Sequence, residues 1–241
     1  MDIRDGTVEL GEETVAKVKA AARSRPRAPR PASVQAVRPP AVPQLAQLRT
    51  TRGVICIGAS TGGTEALRVV LEKLPHDSPG VVVVQHMPEK FTKAFAARLD
   101  TLCQVRVSEA RDGDPVLPGH VLIAPVNFQM RLARSGANYN VRVTSEAPVN
   151  HHRPSVDVLF KSCAKELGAN AVAAILTGMG DDGARGLLAL RQAGAATMAQ
   201  DEATCVVFGM PREAIALGAA QEVLPLEGGA PALIRWARAR R

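Results

Sequence analysis

The chain has 241 residues, 46% hydrophobic but only 3% aromatic; it is long enough for one large or two small domains, and its core must be aliphatic. Its formal charge is +7, but the first 52 residues carry ten Lys/Arg against five Asp/Glu and the rest twenty against eighteen. A body so nearly balanced lacks the basic stripe and stacking platform of a nucleic-acid binder. No run of about 18 apolar residues could cross a membrane, and the acidic, polar start is not a secretory signal. A cytoplasmic protein with no nucleic-acid partner and no membrane insertion is expected.

Taken in order, residues 8–23 place Val15, Val18 and Ala22 among Ala, Lys and Glu, which predicts a short amphipathic helix. From residue 24 the composition turns to Pro, Arg, Ala and Ser, an extended linker that cannot bury enough to fold. Residues 1–23 are thus expected to be a helical remnant of an interdomain segment, 24–52 a linker, and 53–241 the folded domain. A linker with so little before it implies an N-terminal partner absent from this chain.

Beyond residue 53 apolar strands alternate with helices. Strands are predicted over 54–57, 81–85, 105–109, 121–124, 171–176 and 196–200, and helices over 64–73, 89–102, 155–167, 184–193 and 211–217. This pattern predicts a doubly wound, mostly parallel α/β sheet with helices on both faces. Residues 128–134 and 140–145 instead alternate polar and apolar around Ser135-Gly136-Ala137-Asn138, predicting an antiparallel β-hairpin excursion with one wet face. Cys56, Cys103, Cys163 and Cys205 are far apart with no C-x-x-C pair, which reads as reduced thiols rather than disulfides or a metal site.

Gly58-Ala59-Ser60-Thr61-Gly62-Gly63 closes the first strand and opens the first helix. G-x-S-x-G on such a bend thrusts a serine hydroxyl beyond the sheet, the posture of a nucleophile. The same loop could cradle a phosphate at the helix N-terminus, or Ser60 could simply cap the helix.

Functional groups of an open parallel sheet gather past the carboxyl ends of its strands. His86 directly follows Val81-Val82-Val83-Val84-Gln85 and belongs at the edge of Ser60, as a candidate general base. His76 and His120 precede strands and belong at the other edge, while His151 and His152 remain open. Asp181 and Asp182 arrive on Thr177-Gly178-Met179-Gly180-Asp181-Asp182-Gly183, where one could cap the next helix and the other orient His86; Asp201 and Glu202 compete. The order Ser, His, acid is not that of α/β-hydrolases, which counts against that family but not the chemistry. A dinucleotide site expects an acidic residue where the second strand ends, and here stands Gln85-His86-Met87. A nucleotide-binding or regulatory α/β module with residues 58–63 as its cradle is the alternative.

Together with Gln85-His86-Met87, His152-Arg153-Pro154-Ser155-Val156-Asp157, Leu176-Thr177-Gly178-Met179-Gly180-Asp181-Asp182-Gly183, and Gln200-Asp201-Glu202 with Gly209-Met210-Pro211, the serine loop resembles the catalytic domain of the CheB family. These are the chemoreceptor protein-glutamate methylesterases of bacterial chemotaxis, and the resemblance runs from about Gly53 to the C-terminus. It implies Ser60 as nucleophile, His86 as base and Asp182 as its orienter, with the backbone N–H groups of Thr61 and Met179 as oxyanion donors. It further implies hydrolysis of methyl esters on cytoplasmic receptor helices, deamidation of receptor glutamines, and no metal or organic cofactor. Members usually carry an N-terminal phospho-accepting receiver domain that occludes the active edge. Without that regulator this chain is expected to be open, monomeric and indifferent to a phosphodonor, with Ser60 reachable from solvent in a surface cleft.

Overall fold

A run of β-branched residues that alternates between two apolar faces makes a strand buried on both sides, and Val54–Ala59 (β1) is such a run, with every residue buried. The computed structural model of the chain describes residues 53–89 and 91–239. The expected helix over 8–23 and linker over 24–52 lie outside the described residues. Beside β1, Gly80–Gln85 (β2), Arg106–Glu109 (β3), His120–Ile123 (β4), Ala171–Ile175 (β7), Ala196–Gln200 (β8) and Glu222–Leu224 (β9) form one seven-stranded sheet. Its order is β3-β4-β2-β1-β7-β8-β9, with every pairing parallel.

The strands' two sides build two cores. Val54 and Cys56 face α3 (Val156–Leu167), α4 (Ala184–Gln192) and α5 (Met210–Ala216), whereas Ile55 and Ile57 face α1 (Gly63–Glu72), α2 (Phe91–Leu102) and α6 (Leu226–Arg238). Cys56 and Cys163 are buried and all four cysteines are free thiols. The hairpin of β5 (Gln129–Ser135) and β6 (Asn138–Thr144) is a separate antiparallel pair. Met130, Leu132, Tyr139 and Val141 add its dry face to the first core, and the Leu132 N–H donates to Ser162 Oγ of α3 at 2.8 Å. No described helix is long and apolar enough to cross a membrane.

Two elements escape the sequence reading. β9 has only three residues, and α6 contains Gly228, Gly229 and Pro231, all poor helix interiors by propensity. α6 forms nonetheless because Ala230, Leu233, Trp236 and Ala237 fall on one face and are buried against the second core.

The topology selects the crevice. From β1 the chain moves out to β2, passes to the edge strand β3, comes back to β4 between them, and later crosses to β7 on the other flank of β1 before moving out to β8 and β9. The carboxyl ends of β1 and β7 are therefore where the winding reverses, the place at which open α/β sheets receive ligands.

Candidate active site

Register sets the first two groups side by side. Ala59 of β1 pairs with Gln85 of β2, so Ser60 and His86 are the first residues past two neighbouring strand ends. The ladder runs one step further, with the His86 N–H donating to Ala59 O at 3.0 Å. On the other flank the Ser60 N–H donates to Thr177 O at 3.0 Å, tying the serine to the loop that follows β7. That loop comes very close: a Cβ placed on Gly178 would lie 2.7 Å from Ser60 Cβ and 2.3 Å from Met210 Sδ, so only glycine fits.

The bend at Ser60 is held by backbone. Gly63 N–H donates to Ser60 O at 2.7 Å, the buried Gln85 Nε2 donates to the same oxygen at 2.8 Å, and Gly62 turns the chain at φ 78°. The residue that caps α1 is Gly62, with no side-chain cap bond, so Ser60 is not the helix cap. The phosphate cradle also weakens, because the N–H groups of Ser60 and Gly63 are already engaged within the protein. By contrast, neither Thr61 N–H nor Met179 N–H donates to a backbone carbonyl among the described residues. Both residues are exposed at the rim, Met179 to 72%.

His86 and Asp182 meet across 96 positions of sequence, with His86 Nε2 2.9 Å from Asp182 Oδ2. Every other contact to this carboxylate is also a donor. Oδ1 accepts from Asn150 Nδ2 at 2.8 Å, Ser155 Oγ at 2.7 Å and Asp157 N–H at 3.3 Å, and Oδ2 accepts from Val156 N–H at 2.7 Å. Burial alone would raise the carboxyl pKa, but the bonds from His86, Asn150, Ser155 and Val156 outweigh it and hold it at about 2. Asp182 is therefore an anion that can only accept, so His86 Nε2 carries the proton between them, and in the neutral imidazole the lone pair then lies on Nδ1. That nitrogen is buried and has no hydrogen-bond partner.

The competing acids are elsewhere. Asp181 is more than half exposed, 3.8 Å from Arg185, and Asp201 accepts from Thr204 N–H at 3.1 Å in its own loop. Neither Asp181 nor Asp182 caps α4, whose cap is Gly183 without a side-chain bond. His120 opens β4 at the opposite edge, with Nε2 2.8 Å from Ser108 Oγ. His152, left open by the sequence, lies in the site: its ring is stacked on that of His86. Among the described residues no group of three or more His, Cys, Asp and Glu is placed to hold a metal ion.

Sequence reasoning placed Ser155, Asp157 and Gln200 in motifs but gave no role to these residues, which hold the site together. Buried Asp157 accepts from Gly183 N–H at 3.1 Å and Gly186 N–H at 2.7 Å, fastening α3 to the start of α4 and so fixing Asp182. Ser155 caps α3, accepting from Val158 N–H, while donating to Asp182. Gln200 accepts from Thr177 N–H at 2.8 Å and steadies the loop next to Ser60. A signal existed for the glutamines, since Gln85 and Gln200 are polar residues closing otherwise apolar buried strands.

A family model described as CheB methylesterase matches residues 55–233. The chain belongs to the CheB methylesterase family. A Bordetella parapertussis protein named protein-glutamate methylesterase/protein-glutamine glutaminase is 58% identical over 230 residues, covering 94% of this chain and 64% of that protein. A Rhodospirillum rubrum relative of the same name, numbered 2, is 63% identical over 214 residues, covering 88% of this chain and 59% of its own length. This CheB family chain thus spans about three fifths to two thirds of the length of these curated relatives. The crystal structure of the Thermotoga maritima CheB methylesterase catalytic domain superposes with a TM-score of 0.74 at 40% identity, over 76% of this chain and 97% of that one. The CheB catalytic-domain fold is therefore the fold of this chain.

Proposed function

We propose that this protein is a cytoplasmic serine hydrolase that removes methyl esters from glutamate side chains on the cytoplasmic helices of methyl-accepting chemoreceptors, and deamidates receptor glutamines by the same route. The observation that carries this reading is the imidazole beside Ser60, with one nitrogen on a buried carboxylate and the other vacant. His86 Nδ1 takes the proton of Ser60 Oγ as that oxygen bonds to the ester carbonyl carbon. Negative charge moves to the carbonyl oxygen, where the N–H groups of Thr61 and Met179 are the donors at hand. As the tetrahedral species collapses, the imidazolium returns its proton to the leaving group, releasing methanol from an ester or ammonia from an amide. Water, deprotonated by the same nitrogen, then frees the glutamate carboxylate and restores Ser60. Asp182 never takes the proton; it holds the ring and offsets its charge.

The names of the relatives support the substrate class, and the half-buried Ser60 beside exposed Thr61 and Met179 suits a helix surface better than a deep pocket. In the same reading the protein acts as a monomer, and a receiver domain, where one is joined to this catalytic domain, regulates by covering this rim. The test is methanol release from methylated receptor membranes together with a serine-directed fluorophosphonate probe. Turnover and a single adduct on Ser60 are expected; saturable nucleotide binding with neither would overturn the reading.

Gly178 offers a sharper geometric test. In Gly178→Ala the new methyl would have to displace Ser60 Cβ and Met210 Sδ. Misplacing a nucleophile by even about 1 Å can cost on the order of 100-fold, so kcat is expected to fall about 10- to 100-fold. Overpacking should also destabilise the fold by about 1–3 kcal/mol. Steady-state kinetics and a denaturant midpoint read the two effects separately.

A further inference from the structure

His152 lies flat on His86, the ring centroids 3.8 Å apart and the planes within 7°. Aromatic pairs left to themselves prefer offset or edge-on contacts at about 4.5–7 Å, so this close parallel pair is imposed by the surrounding chain. The imposing parts are visible. Asn150 and His151 both take left-handed backbone, at φ 50° and 65°, a conformation rare outside glycine and concentrated where structure overrules local preference. His152 N–H donates to Val149 O at 2.9 Å and its carbonyl accepts from Val149 N–H at 3.0 Å. The fully buried Gln129 donates to His152 O at 3.1 Å from one end of its amide and accepts from Ser155 N–H at 2.9 Å at the other. The loop that aims Asn150 at Asp182 thus also presses His152 onto His86.

We propose that His152 is a positioning residue for the hydrolysis: its stacked ring fixes the plane in which His86 keeps Nε2 on Asp182 and offers Nδ1 to Ser60, and it covers the imidazolium that forms. The proposal rests on the esterase reading above. An imidazole held at one nitrogen by a single hydrogen bond can still swing about that bond, and a ring stacked on its face removes that freedom. A neutral π face also attracts the cation that His86 becomes in the transition state. The His152 pKa is lowered first by partial burial and then by the positive charge that His86 carries when protonated, against an opposing pull from the Asp182 carboxylate.

The test compares His152→Ala and His152→Phe with the unmutated chain. Loss of the ring is expected to lower kcat at least 10-fold with KM changed less than about twofold, because a positioning effect is expressed in the transition state. The flat, uncharged phenyl ring is expected to restore kcat to within about threefold. The downfield proton resonance of His86 Nε2–H should persist in the unmutated chain and in His152→Phe, and broaden or vanish in His152→Ala. Unchanged kcat and resonance in His152→Ala, or a His152→Phe protein as slow as the alanine variant, would overturn the proposal. The resonance is read without substrate, so an unmutated chain that releases no methanol would condemn the esterase reading while the ring comparison still decides the stack.

Discussion

Replacing Ser60 with alanine is expected to lower kcat for methanol release by about 1000-fold or more and to leave the fold untouched, since removing one member of a nucleophile–base–acid unit typically removes most of what the unit contributes. The two halves of this expectation come from different atoms. Among the described residues Ser60 is held through its backbone, to Thr177 O, from Gln85 Nε2 and from Gly63 N–H, and alanine preserves all three bonds. Alanine also retains the Cβ that packs against Gly178. The stability change should therefore stay within about 0.5 kcal/mol, the usual range where no cap, core contact or buried polar pairing is lost. Thermal melting and methanol release on the same preparation check both. Retention of most turnover would mean that the oxygen attacking the ester belongs to another group, such as a water activated directly by His86.

The fold was readable because its signals are local. β1, β2 and β7 are almost wholly apolar runs, each giving way to polar residues at the active rim (Ser60, Gln85 and Thr177), and that arrangement fixes both the parallel sheet and the edge where chemistry collects. β9 and α6 were not readable, because three residues have no period and the glycines and proline of α6 oppose helix on propensity alone. Tertiary burial of Trp236 and Leu233 decides that segment instead. The site divides along the same line. Ser60 and His86 each stand directly after an apolar strand and could be found one at a time, whereas Asp182 sits on the glycine-rich loop beyond β7, where the residues alone left it level with Asp181 and the family resemblance chose between them. Asn150, Ser155 and Asp157 act only through contacts made by folding, with partners 27 to 32 positions further along the chain, and no spacing assigns them that role. His152 is the extreme case: its importance lies in a ring-to-ring contact set by a loop whose backbone conformation no residue type predicts.

Asp182→Asn is expected to lower kcat by about 10⁴-fold, the scale seen when the same change is made in other serine triads. The reason is the sign of the groups around it. All five contacts to the carboxylate come from donors, three at Oδ1 and two at Oδ2. An asparagine has one oxygen and one NH₂, so one side must now present donor to donor. If the NH₂ faces His86, Nε2 must accept, the imidazole proton moves to Nδ1, and the nitrogen that should receive the Ser60 proton is already occupied. If it faces the other side, the Asp157 N–H loses its acceptor, and Asn150 can flip its amide only by turning its oxygen toward Asp157 Oδ2. Either arrangement leaves a buried polar group unpaired, at about 1–3 kcal/mol, so the variant should also melt earlier. The carboxylate carries its own pH signature. Its pKa falls from an ordinary 3.8 to about 2 on folding, so the stability it supplies is fully present above about pH 4 and is lost as pH drops toward 2. That contribution is on the order of 2 kcal/mol, and it should be missing from the acid unfolding curve of Asp182→Asn, whose stability between pH 5 and about 2 is expected to fall less steeply than that of the unmutated chain. Parallel acid titrations of the two proteins that fell with equal slope would show that the carboxylate gains nothing from its five donors, and the account of how His86 is held would fail with it.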